Sequence, residues 1–242
     1  MSKIIRYAIY EGRIFFRIKV AVFYSVLFPL CLLFLYYFSG ELADINAYFP
    51  YLISVTLIST TGGLSSLIVS NRIYNMWKFY SFYGYKTWHM AVATGIIYFL
   101  LSGVICILMS LIMIFVFKAI EISFFVFLKF LLTIGIGTIF YIEIAIVIGL
   151  AVSDPRNAQT IISGFIYLFV ILSGSIIRFE QTSILGKIMA LFPNIHLGNL
   201  LYSIWNGIPA DMFSVIVLTV YMVIFAVVIV VLLNRERKKL LY

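Results

Sequence analysis

Charged side chains are scarce in this sequence. Only 11% of its 242 residues are Asp, Glu, Lys or Arg, whereas 64% are hydrophobic. Soluble domains carry about a quarter charged residues, so a water-exposed surface of ordinary composition is excluded. One aqueous core cannot hide this much apolar surface, and the outside of the folded chain must therefore contact lipid. The composition predicts an integral membrane protein.

Motifs for metal, redox and nucleotide chemistry are also missing. The two cysteines, Cys31 and Cys106, lie in different hydrophobic runs, and neither has a second cysteine nearby. The sequence has no H-E-x-x-H motif and no carboxylate pair on one helix, so a metal cage or an acid–base pair is hard to assemble. The segment YGYKT at 83–87 lacks the glycine-rich approach and the preceding strand of a phosphate-binding loop.

Long hydrophobic runs are what the chain does have. A helix needs about 20 apolar residues to cross a hydrocarbon core of about 30 Å. The runs are continuous and do not alternate, which excludes the strands of a membrane barrel. The sequence therefore predicts an all-α polytopic membrane protein with six transmembrane helices in one domain, 1–242. The predicted spans are 20–38, 49–70, 90–117, 123–152, 158–177 and 212–233.

Lysine and arginine set the predicted orientation. With both termini in the cytoplasm, thirteen of the 17 basic residues lie on the inner side, which is a clear positive-inside bias. The net charge of +8 then reflects topology and anionic lipid, and scattered charges near the membrane argue against a nucleic-acid partner. The four basic residues left on the outer side are Lys118, Lys129, Arg178 and Lys187.

The N-terminal segment 3–19, KIIRYAIYEGRIFFRIK, mixes basic and aromatic residues ahead of the first span, unlike a cleaved signal peptide. In a helix, one side would be apolar, and the basic side would face lipid phosphates. This pattern predicts an interfacial helix on the inner leaflet. The alternative is a simple basic flank of the first span. The apolar side would comprise Ile4, Ile5, Ala8, Ile9, Phe15 and Phe16, and the basic side Lys3, Arg6, Arg13 and Arg17.

The inner loop 71–89, NRIYNMWKFYSFYGYKTWH, contains eight aromatic residues. Some of them, Trp88 above all, can anchor helix ends at the headgroups. Anchoring the two helix ends does not require as many as eight aromatic residues. Large aromatic residues with scattered basic residues are typical of protein–protein hot spots. We therefore interpret this loop as a docking segment. Its candidate contact residues are Arg72, Trp77, Lys78, Phe79, Tyr80, Tyr83 and Lys86.

Two further features lie at membrane depth. Glu143 is a carboxylate well inside a predicted span, so it either pairs with a polar side chain of another helix or lines a polar path. The segment LFPNIHLGNLLYSIWNG, 191–207, is apolar but too short to cross a membrane, and Pro193 breaks it. Its polar groups need protein or water partners. Either a loop resting on the bilayer or a re-entrant hairpin fits this segment.

These features in this order resemble the permease subunit of ABC-2 type exporters. The most specific part is 168–209, LFVILSGSIIRFEQTSILGKIMALFPNIHLGNLLYSIWNGIP, where a span ending in Ser-Gly precedes a polar break and a Pro-led segment. The resemblance implies a re-entrant hairpin over 179–208 that narrows the outer mouth, and a coupling helix within 71–89. The residues at this implied outer gate are Phe192, Pro193, Asn194 and His196.

The resemblance also implies partners. The coupling helix would dock on a separate ABC ATP-binding subunit, present in two copies, which would hold ATP and magnesium, while this chain holds no cofactor. A second permease subunit, identical or paralogous, would complete a route lined by Glu143 in the bacterial cytoplasmic membrane. Relatives often carry an acidic residue just after the second span, where this chain has Ser70, Asn71 and Arg72.

The expected cargo is inferred from the numbers of aromatic and methionine residues. The chain holds 23 Phe, 17 Tyr and 8 Met, which suit an apolar and adaptable path. Its size is similar to peptide-handling members, such as lantibiotic immunity exporters and staphylococcal exporters of phenol-soluble modulins. The expectation is export of amphipathic peptides by alternating access, and the alternative is a drug or polysaccharide exporter. An intramembrane serine protease using Ser173 and His196 is a further alternative, although Ile171 stands where its motif has glycine.

Overall fold

The computed structural model describes residues 3–17, 23–38, 45–118, 122–172 and 191–240, and these residues form helices and short connections. Helices α1 to α4 are Lys3–Arg17, Phe28–Phe38, Ile45–Ile73 and Met76–Phe82, with a π-helical turn, Phe23–Leu27, before α2. Helices α5 to α9 are Thr87–Leu111, Phe124–Ala151, Pro155–Leu172, Pro193–Trp205 and Met212–Leu240, with a π-helical turn, Ile112–Val116, after α5.

Four described helices are long and apolar enough to cross a membrane, which agrees with an all-α membrane protein. They match the predicted second, third, fourth and sixth spans. The predicted first and fifth spans lie only partly within the described residues, where 23–38 and 155–172 are helical. The spanning stretches are Ile45–Ile73, Thr87–Val116, Phe124–Ala151 and Met212–Lys238.

Local sequence explains several helix ends. The Ser123 hydroxyl accepts a hydrogen bond from the Val126 amide at 3.4 Å and caps the start of α6. Pro155 and Pro193 stand at the first positions of α7 and α8, where a proline loses no hydrogen bond. Gly84 and Gly207 adopt positive φ angles of 74° and 67° in the turns after α4 and α8.

Helix α3 is the centre of the bundle and is mostly buried, whereas α9 is almost entirely exposed on its apolar surface. Small residues let the helices approach closely. A Cβ added to Gly149 of α6 would lie 2.9 Å from Ile68 of α3, and the hydroxyls of Thr60 and Ser102 lie 2.6 Å apart between α3 and α5. Such close packing and interhelical hydrogen bonding replace the hydrophobic driving force that is missing inside a bilayer.

The ends of α3, α6 and α9 meet at the same end of the bundle, because Arg72 contacts Gly149, Val152 and Glu236 there. The spanning stretch Thr87–Val116 has 30 residues, or about 45 Å of helix, against a hydrocarbon core of about 30 Å. These helices therefore continue well beyond the lipid core. We call the end that carries Arg72 the basic end.

Helix α1 packs against the basic end of α5. Tyr7 contacts the ring of Tyr85 just before α5, and Phe15 contacts Tyr98, eleven residues into that helix. The described part of the predicted segment 3–19 is thus helical from Lys3 to Arg17 and inclined along the bundle. Its predicted apolar side divides in two, since Ala8 and Phe15 are buried in the protein whereas the other apolar residues remain partly or fully exposed.

Candidate functional site

Helix α4 presents a row of exposed aromatic rings at the basic end. A left-handed residue, Asn75, precedes the helix with φ 55°, and Gly84 follows it. Phe82 is 79% exposed, and the ring of the exposed Phe79 lies 5.2 Å from that of Tyr83. We call this patch the aromatic surface. Its exposed members are Tyr74, Lys78, Phe79, Phe82, Tyr83 and Lys86.

The aromatic surface carries positive charge only, because the segment 71–89 contains no Asp or Glu. A cluster of exposed large apolar rings on a short helix is unusual for a protein surface that faces water. Lipid headgroups can accommodate such rings, and so can the pocket of a partner protein. The patch therefore has the chemistry of an interface.

Trp77, predicted to contact a partner, instead faces inward. Its side chain is only 3% exposed and packs with Tyr7, Met90 and Leu64 in the core of the basic end. The reason is helical geometry, since Trp77 lies on the face of α4 opposite to the exposed rings. Trp77 holds α4 in place, and Tyr80 is likewise half-buried, with its ring 4.9 Å from that of Tyr7.

Lys3 connects α1 to the aromatic surface. Its Nζ donates hydrogen bonds to the carbonyl oxygens of Tyr83 and Gly84 at 3.1 and 3.0 Å. The same ammonium group lies 5.6 Å from the centre of the Tyr85 ring. Sequence reasoning placed Lys3 against lipid phosphates, so this contact was missed. The glycine after the aromatic run was the available signal, because it marks a turn with exposed carbonyls.

Glu11 on α1 is buried, with only 2% of its surface exposed. Its Oε1 accepts a hydrogen bond from Asn71 Nδ2 at 3.1 Å, and the Tyr7 hydroxyl donates a second bond to the carboxylate. Burial raises the pKa of Glu11 above its ordinary value, and these two hydrogen bonds oppose that rise. Glu11 supplies the acidic partner near Asn71 that the local sequence lacks.

Arg72 is engaged within the chain. Its Nε and Nη2 donate to the two carboxylate oxygens of Glu236 at 3.2 and 3.0 Å, and its Nη1 donates to the carbonyl oxygens of Gly149 and Val152 at 2.8 and 3.0 Å. The two carbonyls belong to the end of α6, where a cation is favoured. Arg72, predicted as a partner contact, thus ties together α3, α6 and α9.

Glu143 lies on the open face of α6. Gly135 of this helix faces Phe99 of α5, and Phe140 faces Phe225 of α9. Glu143 lies between these two directions, in line with the exposed Ile139 and Ile136, which lie one and two turns earlier. The side chain is half-buried, and its Oε2 atom is buried without a hydrogen-bond partner among the described residues.

The sequence predicted that Glu143 either pairs with a polar side chain of another helix or lines a polar path, and its Oε2 atom has no such partner among the described residues. The α6 stripe is defined here as the exposed Leu132, Ile136 and Ile139 together with Glu143. It points away from the central helix α3. Exposing a carboxyl group on such a stripe to lipid is unfavourable in free energy. Glu143 therefore needs a second protein surface, water or a cation beside it.

Helix α8 is packed against the end of the bundle opposite to the basic end. At its start, Asn194 Oδ1 accepts hydrogen bonds from Tyr141 and from Ser54, the latter at 2.7 Å. At its end, the Trp205 ring lies 4.6 Å from Phe49 and 4.7 Å from Phe130. Helix α8 therefore runs from the depth of Ser54 and Tyr141 towards the beginnings of α3 and α6.

The asparagines of this segment have the partners that the sequence requires, whereas the buried Trp205 Nε1 has none among the described residues. Asn199 Oδ1 accepts from the Tyr51 hydroxyl at 3.1 Å, in addition to the contacts of Asn194. Gly198 is required here, because an added Cβ would lie 2.7 Å from the Tyr51 ring. Trp205 is buried between Phe49 and Phe130.

His196 belongs to a chain of hydrogen bonds with Ser214 and Asp211. The Ser214 hydroxyl donates to Asp211 Oδ2 at 2.7 Å, so His196 Nδ1, 2.9 Å away, is the donor to Ser214. The hydrogen bond from Ser214 holds the pKa of Asp211 below its ordinary value. Asp211 also accepts from the Phe213 and Ser214 amides and caps α9.

That arrangement does not suit nucleophilic catalysis. In a catalytic triad the histidine lies between the serine and the carboxylate, whereas here Ser214 occupies the middle. Ser173, the nucleophile of the protease alternative, lies outside the described residues. In the described part of the chain, no three His, Cys, Asp or Glu side chains are grouped to hold a metal.

Neither a protein-family model nor a curated protein sequence matches the chain.

Proposed function

We propose that the chain is the membrane-spanning subunit of an ATP-driven ABC exporter, with the aromatic surface as the docking site for a separate ATP-binding subunit. The observation that carries this proposal is the row of exposed rings on α4. The helix is held by Trp77 and Lys3 and is placed between the long helices α3 and α5. Movement of a docked partner would reach both helices directly.

The proposed orientation in the membrane follows from the distribution of basic residues. In the described part of the chain, most basic residues lie near the end that carries α4, and by the positive-inside rule this supports a cytoplasmic position for that end. Two copies of the ATP-binding subunit would carry ATP and magnesium and drive alternating access. A second permease subunit, identical or paralogous, would face the α6 stripe across the route and would shield Glu143 from lipid.

Helix α8 is the returning arm of the proposed re-entrant hairpin. Its start lies at the depth of Ser54 and Tyr141, and its end lies near the outer beginnings of α3 and α6. Phe192 and Pro193 then stand at its deepest point, where they narrow the outer mouth. Because Asn194 and Asn199 are bonded inside the protein, the arm needs no water partner at those positions.

Cysteine labelling tests this topology. In a variant with Cys31 and Cys106 replaced, an impermeant thiol reagent added outside should label Ile208→Cys, because Ile208 is exposed after α8. His196→Cys should label slowly from the same side, since His196 is buried. Phe82→Cys provides the inner control and should label only after the membrane is opened. Labelling of Ile208→Cys only from the inside would contradict the hairpin and the orientation.

The cargo proposed for this route is an amphipathic peptide. The α6 stripe combines the apolar surface of Ile136 and Ile139 with a single carboxylate whose Oε2 atom lacks a partner among the described residues. An amino group on an otherwise apolar ligand would complement both features. Drug or polysaccharide export is the alternative, and each class is distinguished by the ligand that stimulates ATP hydrolysis.

Glu143→Gln is expected to weaken the response to cationic peptide. Loss of a charged hydrogen bond worth about 1.5–3 kcal/mol should raise the half-stimulating peptide concentration by about tenfold or more. The measurement is ATP hydrolysis by the complex with its ATP-binding subunit in nanodiscs, titrated with a cationic amphipathic peptide. Lys129→Gln, an exposed charge change on the same helix, is the matched control. An unchanged titration for Glu143→Gln would exclude the carboxylate from cargo binding.

A further inference from the structure

Helix α1 carries three arginines that its own protein leaves exposed. At about 100° per residue, the side chains of Arg6, Arg13 and Arg17 fall within about 40° of one another around the helix. No carboxylate pairs with them in the described chain, where the one ion pair joins Arg72 and Glu236. The buried Glu11 faces another direction, towards Asn71. The arginines therefore form one row of available cations.

An apolar stripe lies directly beside this row. Ile5, Ile9 and Phe16 are exposed, and they fall about 80° from the arginines around the helix. Neither stripe is the packing face, which contains the buried Tyr7 and Phe15. A cationic row next to an apolar stripe is the pattern by which a helix binds an anionic membrane surface, with apolar side chains among the acyl chains.

The position of α1 suits that partner. Tyr7 of α1 contacts Tyr85, which precedes α5 and the predicted span 90–117, whereas Phe15 contacts Tyr98, which lies inside that span. The helix thus lies at the inner boundary of the membrane in the proposed orientation. An anionic protein could match the arginines, but the exposed Ile5 and Phe16 at a lipid boundary favour phospholipid.

We propose that α1 binds anionic phospholipid headgroups of the inner leaflet, and that this binding fixes the aromatic surface through Lys3. The regulatory part rests on the proposed function, because it takes the aromatic surface as the docking site. The link is direct, since Lys3 begins α1 and donates to the carbonyls of Tyr83 and Gly84 at the end of α4. A lipid-held α1 keeps both hydrogen bonds in place, and a released α1 withdraws them.

Hydrogen exchange tests the proposal without any partner subunit. The chain is placed in nanodiscs of neutral phosphatidylcholine or of phosphatidylcholine with phosphatidylglycerol, and exchange is measured for the amides of 76–85. Anionic discs should slow exchange by about fivefold or more, since each basic residue near such a surface contributes about a factor of five in binding. Equal exchange in both kinds of disc would overturn the proposal.

Three variants separate its parts. Arg6→Gln/Arg13→Gln/Arg17→Gln should abolish the lipid effect, whereas Arg235→Gln/Arg237→Gln/Lys238→Gln, with the same charge loss on exposed residues of α9, should keep it. Lys3→Gln should also abolish the effect at 76–85 while α1 itself remains protected in anionic discs. A retained effect in the α1 triple variant would overturn lipid binding, and one in Lys3→Gln would overturn the link.

An additional measurement with inorganic phosphate distinguishes a phospholipid ligand from a soluble anion. Inorganic phosphate added to neutral discs should leave exchange unchanged, because the apolar stripe of α1 requires acyl chains as well as phosphate. Slowing by inorganic phosphate alone would assign the row to a soluble anion and would overturn the lipid proposal. Since no ATP-binding subunit is present, failure here leaves the docking proposal standing, and failure of docking leaves lipid binding standing.

Discussion

Replacing Phe79 and Phe82 by alanine should release the ATP-binding subunit. Both rings are exposed on one side of α4, and neither is needed to hold the helix, because Trp77 and Lys3 do so. A buried aromatic hot spot contributes about 2 kcal/mol or more to binding, so each loss weakens the complex about 30-fold and both together about 1,000-fold. The measurement is recovery of the subunit and of ATP hydrolysis with the affinity-purified chain.

Phe124→Ala/Phe125→Ala is the matched control. These two rings are exposed to a similar degree, but they lie at the start of α6, at the opposite end of the bundle. This variant should retain the ATP-binding subunit at the level of the unaltered chain. Undiminished recovery with Phe79→Ala/Phe82→Ala would contradict docking on the aromatic surface and would favour headgroup anchoring. Hydrolysis by the chain purified without any other protein would contradict the subunit assignment altogether.

The choice of Phe82 over Trp77 illustrates what the sequence could predict. Composition and spacing identified 71–89 as a segment with excess aromatic residues, and the same reasoning applied equally to all of them. Which rings point outward depends on how α4 sits against α1 and α5. Tyr7, seventy residues before Trp77 in the sequence, belongs to the same buried cluster. Such distant contacts leave no periodicity in a seven-residue helix.

The spans were more predictable than their ends. Hydropathy placed the second span at 49–70, and the helix runs from Ile45 to Ile73. For the last span it gave 212–233, whereas α9 continues to Leu240 through Arg235 and Arg237. Hydropathy measures the lipid-contacting length only. A helix continues past that length as long as its backbone hydrogen bonds continue and its charged side chains reach water.

The segment 191–207 was recognised because its polar residues stand out in an apolar run. The sequence required partners for Asn194 and Asn199, and it could not name them. Ser54 and Tyr51, which supply the contacts, are ordinary polar residues of α3. The sequence does not reveal the place of Trp205 either, because tryptophan is common at headgroups, whereas this ring is buried between those of Phe49 and Phe130.

Arg72→Ala should strongly destabilise the folded chain. The guanidinium group binds both oxygens of Glu236 and two carbonyls at the end of α6, and the two side chains are only 15% and 11% exposed. Removing one partner of a buried pair leaves an uncompensated charge and typically costs about 3–5 kcal/mol. Allowing for the remaining exposure, we expect about 3 kcal/mol, or a melting temperature lower by about 6–12 °C.

The melting curve of the detergent-purified chain measures this effect, and two variants define its cause. Arg156→Ala removes an exposed arginine from the start of α7 that has no ion pair among the described residues, so it should melt within about 1–2 °C of the unaltered chain. Arg72→Ala/Glu236→Ala should melt above Arg72→Ala alone, because it no longer buries an unpaired carboxylate. If Arg72→Ala and Arg156→Ala melt together, Arg72 does not hold α3, α6 and α9 together. It would then be available to a partner, as the sequence alone had predicted.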